Sequence, residues 1–235
     1  MGTPADALPY WQVNVPPHER TATCPDFLVN VSPKDRGILS TPDSQYTPDT
    51  WASAQHKVAS NQLNLFQRTP SELRLYLAFA WAIKRDYGSV LDFILTQRLR
   101  WAAPVVPRSS IPFACEDEDV KVLRNDWPYG VDKRIVHLVV WTKFELEEDP
   151  ATGDLADGAR RAIEAYVRRT FAERGVAEDR VIWFKNWRSL KSVQAVEHFH
   201  VMLFDPDPEF VREVTHGDVA MCDRAEKWDD AQGAV

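Results

Sequence analysis

The chain has 235 residues, of which 44% are hydrophobic and 27% charged, enough apolar content to bury a core and to exclude a disordered chain. Its net charge of -7 excludes a general attraction to nucleic acid, so any such contact must come from a local basic patch. Three scattered cysteines, Cys24, Cys115 and Cys222, with no CxxC pair, exclude a disulfide framework or zinc knuckle and point to a reducing, cytoplasmic setting. Apolar runs such as LAFAWAI are too short to span a bilayer, and the opening MGTPADALPYW lacks the charged and apolar regions of a signal peptide.

Residues 1–50 carry proline clusters such as VPPHER and STPDSQYTPDT. They predict an irregular but ordered wrap anchored by Trp11, Phe27, Leu28 and Ile38. Residues 51–133 read as a helical region. TPSE at 69–72 is a capping box with Pro70 at the first helical position. An apolar stripe follows through Leu73, Tyr76, Leu77, Ala80, Trp81 and Ile83. Gly88 stops this helix and Ser89 caps the next, up to about Trp101. Pro104, Pro107 and Pro112 mark a loop, EDEDVKVLRN predicts a short helix with acids at its N-terminus, and NDWPYG is a turn.

Residues 134–221 read as an α+β sheet core. RIVHLVVWTKFELE, RVIWFKNW and HFHVMLFD are strands, Leu155 to Arg174 is a helix, and DPEFVREVTHG is a closing helix capped by Asp207, with Pro208 at its start and Gly217 past its end. Residues 222–235 read as a flexible tail. The expected fold is α+β, a helical N-terminal half packed on a C-terminal mixed or antiparallel sheet unit.

Side chains alternate along a strand, so the first long strand should turn Val136, Leu138, Val140, Thr142, Phe144 and Leu146 to the core and His137, Trp141, Lys143 and Glu145 to the other face. A solvated face explains Lys and Glu; it does not explain a Trp between them, and a cleft does. In the last strand Glu197 and Phe199 share one face, His198 and His200 the other. Two His at i and i+2 stand about 6.5–7 Å apart. Half-buried, hydrogen-bonded histidines are the plain reading, a metal site lacks a ligand-spacing motif, and acid–base chemistry is the stronger functional one. No metal and no cofactor are expected. Beside these strands, WFKNWRSLKS sets Lys185, Asn186 and Trp187 before Arg188 and Lys191, an arrangement suited to an anionic or carbonyl substrate as well as to an ordinary basic loop. Arg160, Arg161, Arg168 and Arg169 lie about two turns apart on their helix. With Arg188 and Lys191 they are the best basic footprint for a phosphate backbone; a solvated helix face explains them equally.

The stretches PYWQVNVPPHERTATCPDFLVNVSPKDRGILSTPDS, LFQRTPSELRLYL, NDWPYGVDKRIVHLVVWTKFELEEDPATGDL and VIWFKNWRSLKSVQAVEHFHVMLFDPDPEFV together resemble the domain-of-unknown-function family of the fungal N-acetylglucosamine-induced proteins. That family is taken to include the arginine-containing cyclodipeptide synthases, which use aminoacyl-tRNAs to make cyclo(Arg-Xaa) in secondary metabolism. The order strand, helix, strand, polar loop, HFHV also resembles the histidine-triad nucleotide hydrolases and transferases, although Met202 stands where their third His would be and the glycine-rich approach is missing.

The resemblance implies a tRNA-dependent cyclodipeptide synthase whose partners are arginyl-tRNA and a second aminoacyl-tRNA, with no membrane. The ester is already activated, and the chain has no Walker motif. From side-chain chemistry, His198 and His200 would carry protons, aided by Glu197, and Lys185 and Asn186 would polarise the carbonyl. Glu145 with Trp141, or Asp126 with Trp127, would hold the guanidinium; Lys143 and Trp187 complete the substrate-binding set. Ser189 or Ser192 could carry a covalent aminoacyl group, and nothing selects either. The alternatives are a histidine-triad-like nucleotidyl transferase or hydrolase with His200 as nucleophile, and a non-catalytic protein that binds a small ligand in the same cleft.

Overall fold

The computed structural model describes residues 8–187, 193 and 195–227. Its first part is helical: α1 (Asp26–Val29), α2 (Pro33–Leu39), α3 (Trp51–Ala59), α4 (Pro70–Tyr87), α5 (Val90–Phe93) and α6 (Glu116–Asp119). The Thr69 side chain accepts from the Glu72 backbone N–H and donates to the Glu72 carboxylate, a reciprocal cap whose loss typically costs about 1 kcal/mol. Gly88 ends α4 with φ +79°, a conformation that costs a glycine little. Ser89 caps α5, which widens into a π-helix over Ile94–Leu99. The α4 stripe is buried at Leu73 and Ile83, but Trp81 is 51% exposed and does not belong to it.

Four strands follow: β1 (Val120–Arg124), β2 (Ile135–Thr142), β3 (Val181–Phe184) and β4 (Glu197–Phe204). They form one antiparallel sheet in the order β1-β2-β4-β3. The fold is α+β, with the helical N-terminal half expected. The segment read as a helix over EDEDVKVLRN is helical only through Asp119. There the buried carboxylate accepts from the backbone N–H groups of Arg108 and Ser109, and the alternating VKVLR beyond it pairs with β2. The strand read through Glu147 ends at Thr142, so Lys143 and Glu145 lie beyond it.

Both faces of the sheet are covered. Leu138, Val140, Phe199, Val201 and Leu203 pack against α7 (Asp157–Thr170) and α8 (Pro208–Val214) through Ile163, Tyr166, Val167, Phe210 and Val211. On the other face, Val139, Trp141 and Leu123 meet Phe79 and Ile83 of α4 and Phe93 of α5. Further along that face, Ile135, Met202 and Phe184 meet Ala54 of α3, Leu63 and Phe66. The N-terminal wrap docks on α4 through Leu28, Ile38, Leu39 and Leu73. Within the segment read as a tail, residues 221–227 form a 3-10 helix. Met221 is buried and the Cys222 amide donates to the Asp126 carbonyl. The rest of that segment, 228–235, lies outside the described residues, as do Arg188, Ser189, Lys191 and Ser192.

Candidate functional site

Strand alternation carries His137 of β2 and His198 and His200 of β4 to the sheet face that looks at α4 and α5. The register sets His137 opposite Met202 and Val139 opposite His200, so the two imidazoles meet diagonally. His137 Nε2 lies 3.0 Å from His200 Nδ1. On the other side of His200, Asn186 Nδ2 lies 3.0 Å from Nε2 and 3.3 Å from the Tyr129 hydroxyl. Asn125 Nδ2 stands 3.2 Å from His137 Nε2 and 3.4 Å from Nδ1. The Phe184 ring stacks on His200 at 5.0 Å.

Burial holds both imidazoles neutral. It lowers the His137 pKa to about 3, helped by the positive Arg68. It lowers that of His200 well below the usual value, helped by His137, His198 and Arg68. Two neutral rings joined by one hydrogen bond must order their protons. With Asn186 Nδ2 donating to His200 Nε2, His200 donates from Nδ1 to His137 Nε2, and His137 keeps its proton on Nδ1. This leaves Asn186 Oδ1 buried without a partner. Turning the amide over makes Oδ1 the acceptor from His200 Nε2–H and the Tyr129 hydroxyl. The string then reverses: His137 donates from Nε2, and its Nδ1 accepts from Asn125. Amide orientation and His tautomer are thus one variable.

This string forms part of the wall of a cavity of about 280 Å³ between the sheet and the helical layer. Its other walls include Tyr76, Phe79 and Ile83 of α4, Trp127 and Tyr129 of the turn before β2, and Trp141 and His198. His198 donates from Nδ1 to the Val196 carbonyl at 2.9 Å, and it packs on Trp141 with ring centroids 4.5 Å apart. Arg68, Lys84, Arg98, Arg124 and Asp126 bring the charges. Arg98 is neutralised: its Nε donates to Asp126 and both Nη groups donate to Asp218. Burial raises the Asp126 pKa against the opposing pull of Arg98. Among the described residues no three His, Cys, Asp or Glu side chains gather in a set able to hold a metal ion.

The predicted site residues divide. His198, His200, Asn186, Trp141, Asp126 and Trp127 line this cavity. Lys185 does not. It is buried with Nζ 2.5 Å from Glu148 and 3.5 Å from Glu197, beside a separate hollow that also holds Asn61, Arg160 and Trp183. β3 ends at Phe184, so Lys185 no longer follows the strand alternation that turns Phe184 toward His200. Trp187 donates to Asn61 near the same hollow. Glu145 is exposed, and Lys143 lies over the Trp101 ring. The α7 arginines sit on the opposite face of the sheet. Arg160 pairs with Asp154, Arg168 with Glu173 and Arg169 with Glu116, while Arg161 is exposed. Arg188 and Lys191 belong to the undescribed stretch.

Sequence reading missed Asn125, Tyr129 and Arg68. The first two were within reach: NDWPYG is unusually aromatic for a turn, and it feeds the strand that carries His137.

The fold and the site define an α+β protein whose single sheet is held between two helical layers, with a polar histidine string at the seam. A family model described as "Protein of unknown function (DUF3605)" matches residues 50–204, and the chain belongs to that family. It is 29% identical over 187 residues to N-acetylglucosamine-induced protein 1 of Candida albicans, covering 72% of this chain and 74% of that protein. It is 28% identical over 133 residues to the uncharacterized protein YPL067C of Saccharomyces cerevisiae, covering 55% and 67%. The crystal structure of HTC1 has a similar fold, with a TM-score of 0.55 at 24% identity over 78% of this chain and 94% of that one.

Proposed function

We propose that the chain is a tRNA-dependent cyclodipeptide synthase that makes cyclo(Arg-Xaa) from arginyl-tRNA and a second aminoacyl-tRNA. The observation that carries this reading is the neutral Asn125–His137–His200–Asn186 string beside a cavity that also holds cations and aromatic rings. Aminolysis of an ester needs no strong base. An α-amino group ionises near pH 7.7–8.0, so part of it is already free at neutral pH. As its nitrogen bonds to the ester carbon, it sheds a proton. The carbon–oxygen bond to the ribose then breaks, and the leaving oxygen takes a proton. A neutral imidazole has one ring nitrogen that accepts a proton and one that donates, which suits that transfer better than an imidazolium, and the two asparagine amides set the tautomers of the His137–His200 pair. His198 stands beside it in the cavity wall. Of the two carboxylate–aromatic pairs expected to hold the arginyl guanidinium, Asp126 with Trp127 lines the cavity and Glu145 does not, but the Asp126 carboxylate already accepts from Arg98 and the Met221 amide.

The nucleotidyl-transfer alternative is less well supported, because both ring nitrogens of His200 are engaged by neighbours and neither is set to attack phosphorus. Incubation with charged tRNAs, followed by mass spectrometry for diketopiperazines, tests the proposal. Arginine-containing product is expected. Asn186→Ala or His200→Gln should lower the rate by about 100-fold or more, the usual worth of positioned proton transfer. No product from any charged tRNA, or full activity in both variants, sinks the reading.

A further inference from the structure

We propose that Arg68 anchors the ligand of the cavity by an acyl oxygen that carries or gains negative charge, while the apolar body of the same molecule lies along α4. Only the identity of that oxygen, the carbonyl of an aminoacyl ester, rests on the synthase reading above.

Arg68 lines the cavity and is pinned there from two sides. Its Nε donates to the Trp127 carbonyl at 3.0 Å, and its Cζ lies 3.9 Å from the Tyr76 ring centroid. A side chain held in this way loses little further freedom when it binds. Among the described residues neither Nη group has a protein acceptor, so the two remain as a fork that fits a pair of acyl oxygens or clasps one.

The turn before β2 ties Arg68 to the histidines. The Trp127 amide donates to Asn125 Oδ1 at 2.9 Å, and Asn125 Nδ2 stands 3.2 Å from His137 Nε2. The Tyr129 ring gives a second link: it lies 5.8 Å from Arg68 Cζ, 5.2 Å from the His137 ring and 6.3 Å from that of His200. The positive charge is close enough to help hold both imidazoles neutral. An oxygen on the fork therefore stands at the histidine end of the cavity. Lys185, the cation expected to polarise a carbonyl, is held by Glu148 and Glu197 beside the other hollow, and Arg68 takes that role.

The wall changes character away from this end. Tyr76 and Ile83 are seven residues apart on α4, about 10 Å. Phe79 between them, with Phe93, Ile94, Leu123 and Val139, makes the wall beyond Arg68 apolar. Asp126 is the one carboxylate in the described lining, and it already accepts from Arg98 and the Met221 amide. The cavity thus offers a donor fork to an oxygen at one end, an apolar wall to the body of the molecule, and no unengaged carboxylate to a cationic head.

Calorimetric titration of the full chain with 3-phenylpropionate, 3-phenylpropionamide and 3-phenylpropylamine, which share one body and differ in the head, tests the anchor. The acid should bind at least about tenfold more tightly than the amide, the usual effect of one charge-assisted hydrogen bond, and the amine should bind most weakly. Propionate, which lacks the ring, should bind at least about tenfold more weakly than 3-phenylpropionate. Arg68→Gln should bring the acid down to the level of the amide, with Arg68→Lys restoring part of the loss. Because Arg68 also braces Trp127, the series on the parent chain, which needs no variant, decides the head-group preference. The anchor is overturned if acid and amide bind alike, if the acid does not bind, if a folded Arg68→Gln chain keeps the preference for the acid, or if Lys84→Gln removes it instead. On the synthase reading, Arg68→Gln should lower kcat for cyclodipeptide at least about tenfold with little change in KM, since the carbonyl oxygen gains its charge only in the transition state. Acid binding through Arg68, with no cyclodipeptide from charged tRNA, leaves the anchor standing and removes the synthase reading. Cyclodipeptide formed with the parent's kcat by a folded Arg68→Gln chain does the reverse.

Discussion

His137 and His200 are kept neutral by burial and by the field of Arg68, and this ties stability to pH. A buried His with a lowered folded pKa takes up its proton in the unfolded state first. Stability is therefore complete above about pH 6.5 and falls as the pH drops toward about 3, the range between the unfolded and folded values of His137. For His137 alone the loss between pH 7 and pH 5 is roughly 2 kcal/mol, and His200 adds to it in the same direction. Urea midpoints at the two pH values should show the loss. His137→Gln, which cannot titrate, should flatten the dependence while lowering stability at pH 7; an unchanged slope would mean that other groups carry it. Gly130 is a second sensitive position. A methyl group there would lie 2.7 Å from Tyr46 Cζ, and the Tyr46 hydroxyl donates to the Gly130 carbonyl at 2.8 Å. Gly130→Ala should cost about 1–3 kcal/mol by overpacking and displace the adjacent Tyr129 from Asn186. Denaturant unfolding measures the first effect. Weaker ligand binding in a variant that still folds measures the second.

Among the elements, α4 and α8 were legible because their ends carry chemistry: Thr69 and Gly88 bound one, Asp207 with Pro208 begins the other. β1 was not, because four acids in a row suit a helix N-terminus and nothing local says that the helix stops at Asp119. Its stop lies in a carboxylate that caps a distant loop. Alternation along β4 was enough to turn His198 and His200 to one face. It could not say that Lys185, one residue past the end of β3, would turn to Glu148 instead. Nor could it bring Arg68 to the histidines, since that depends on how α4 lies across the sheet. On the synthase reading, the same layering turns α4 rather than α7 toward the cavity that would receive the charged end of the tRNA. α7 covers the far face, and three of its four arginines already hold carboxylates. Lys84→Glu should therefore reduce tRNA affinity, with a shallower salt dependence, and Arg168→Glu should change it little. Filter binding at several salt concentrations decides this; equal losses would return α7 to the footprint.

On the scale of the whole molecule, the C-terminal segment closes the construction. Asp218 reaches Arg98 and Arg124, and the Met221 amide donates to Asp126, so residues close to the end of the described chain brace the cavity wall. No described helix is long and apolar enough to cross a membrane. The two long strands β2 and β4 have a hydrogen-bonded neighbour on each side and a helical layer on each face. Either edge strand can open while β2 and β4 stay paired, so the amides that β2 and β4 donate to each other should trade hydrogen for deuterium only when the entire chain unfolds, while the edge strands β1 and β3 and the amides that face them trade sooner. The amides shared between β2 and β4 are therefore reporters of the global equilibrium, even though the same two strands carry the site. Any compound that occupies the folded form alone should slow them by one plus the ratio of its free concentration to its Kd, about 100-fold at 100 times its Kd. Mass-spectrometric deuterium uptake in peptides from β4 would then rank unknown ligands without an assay of their chemistry.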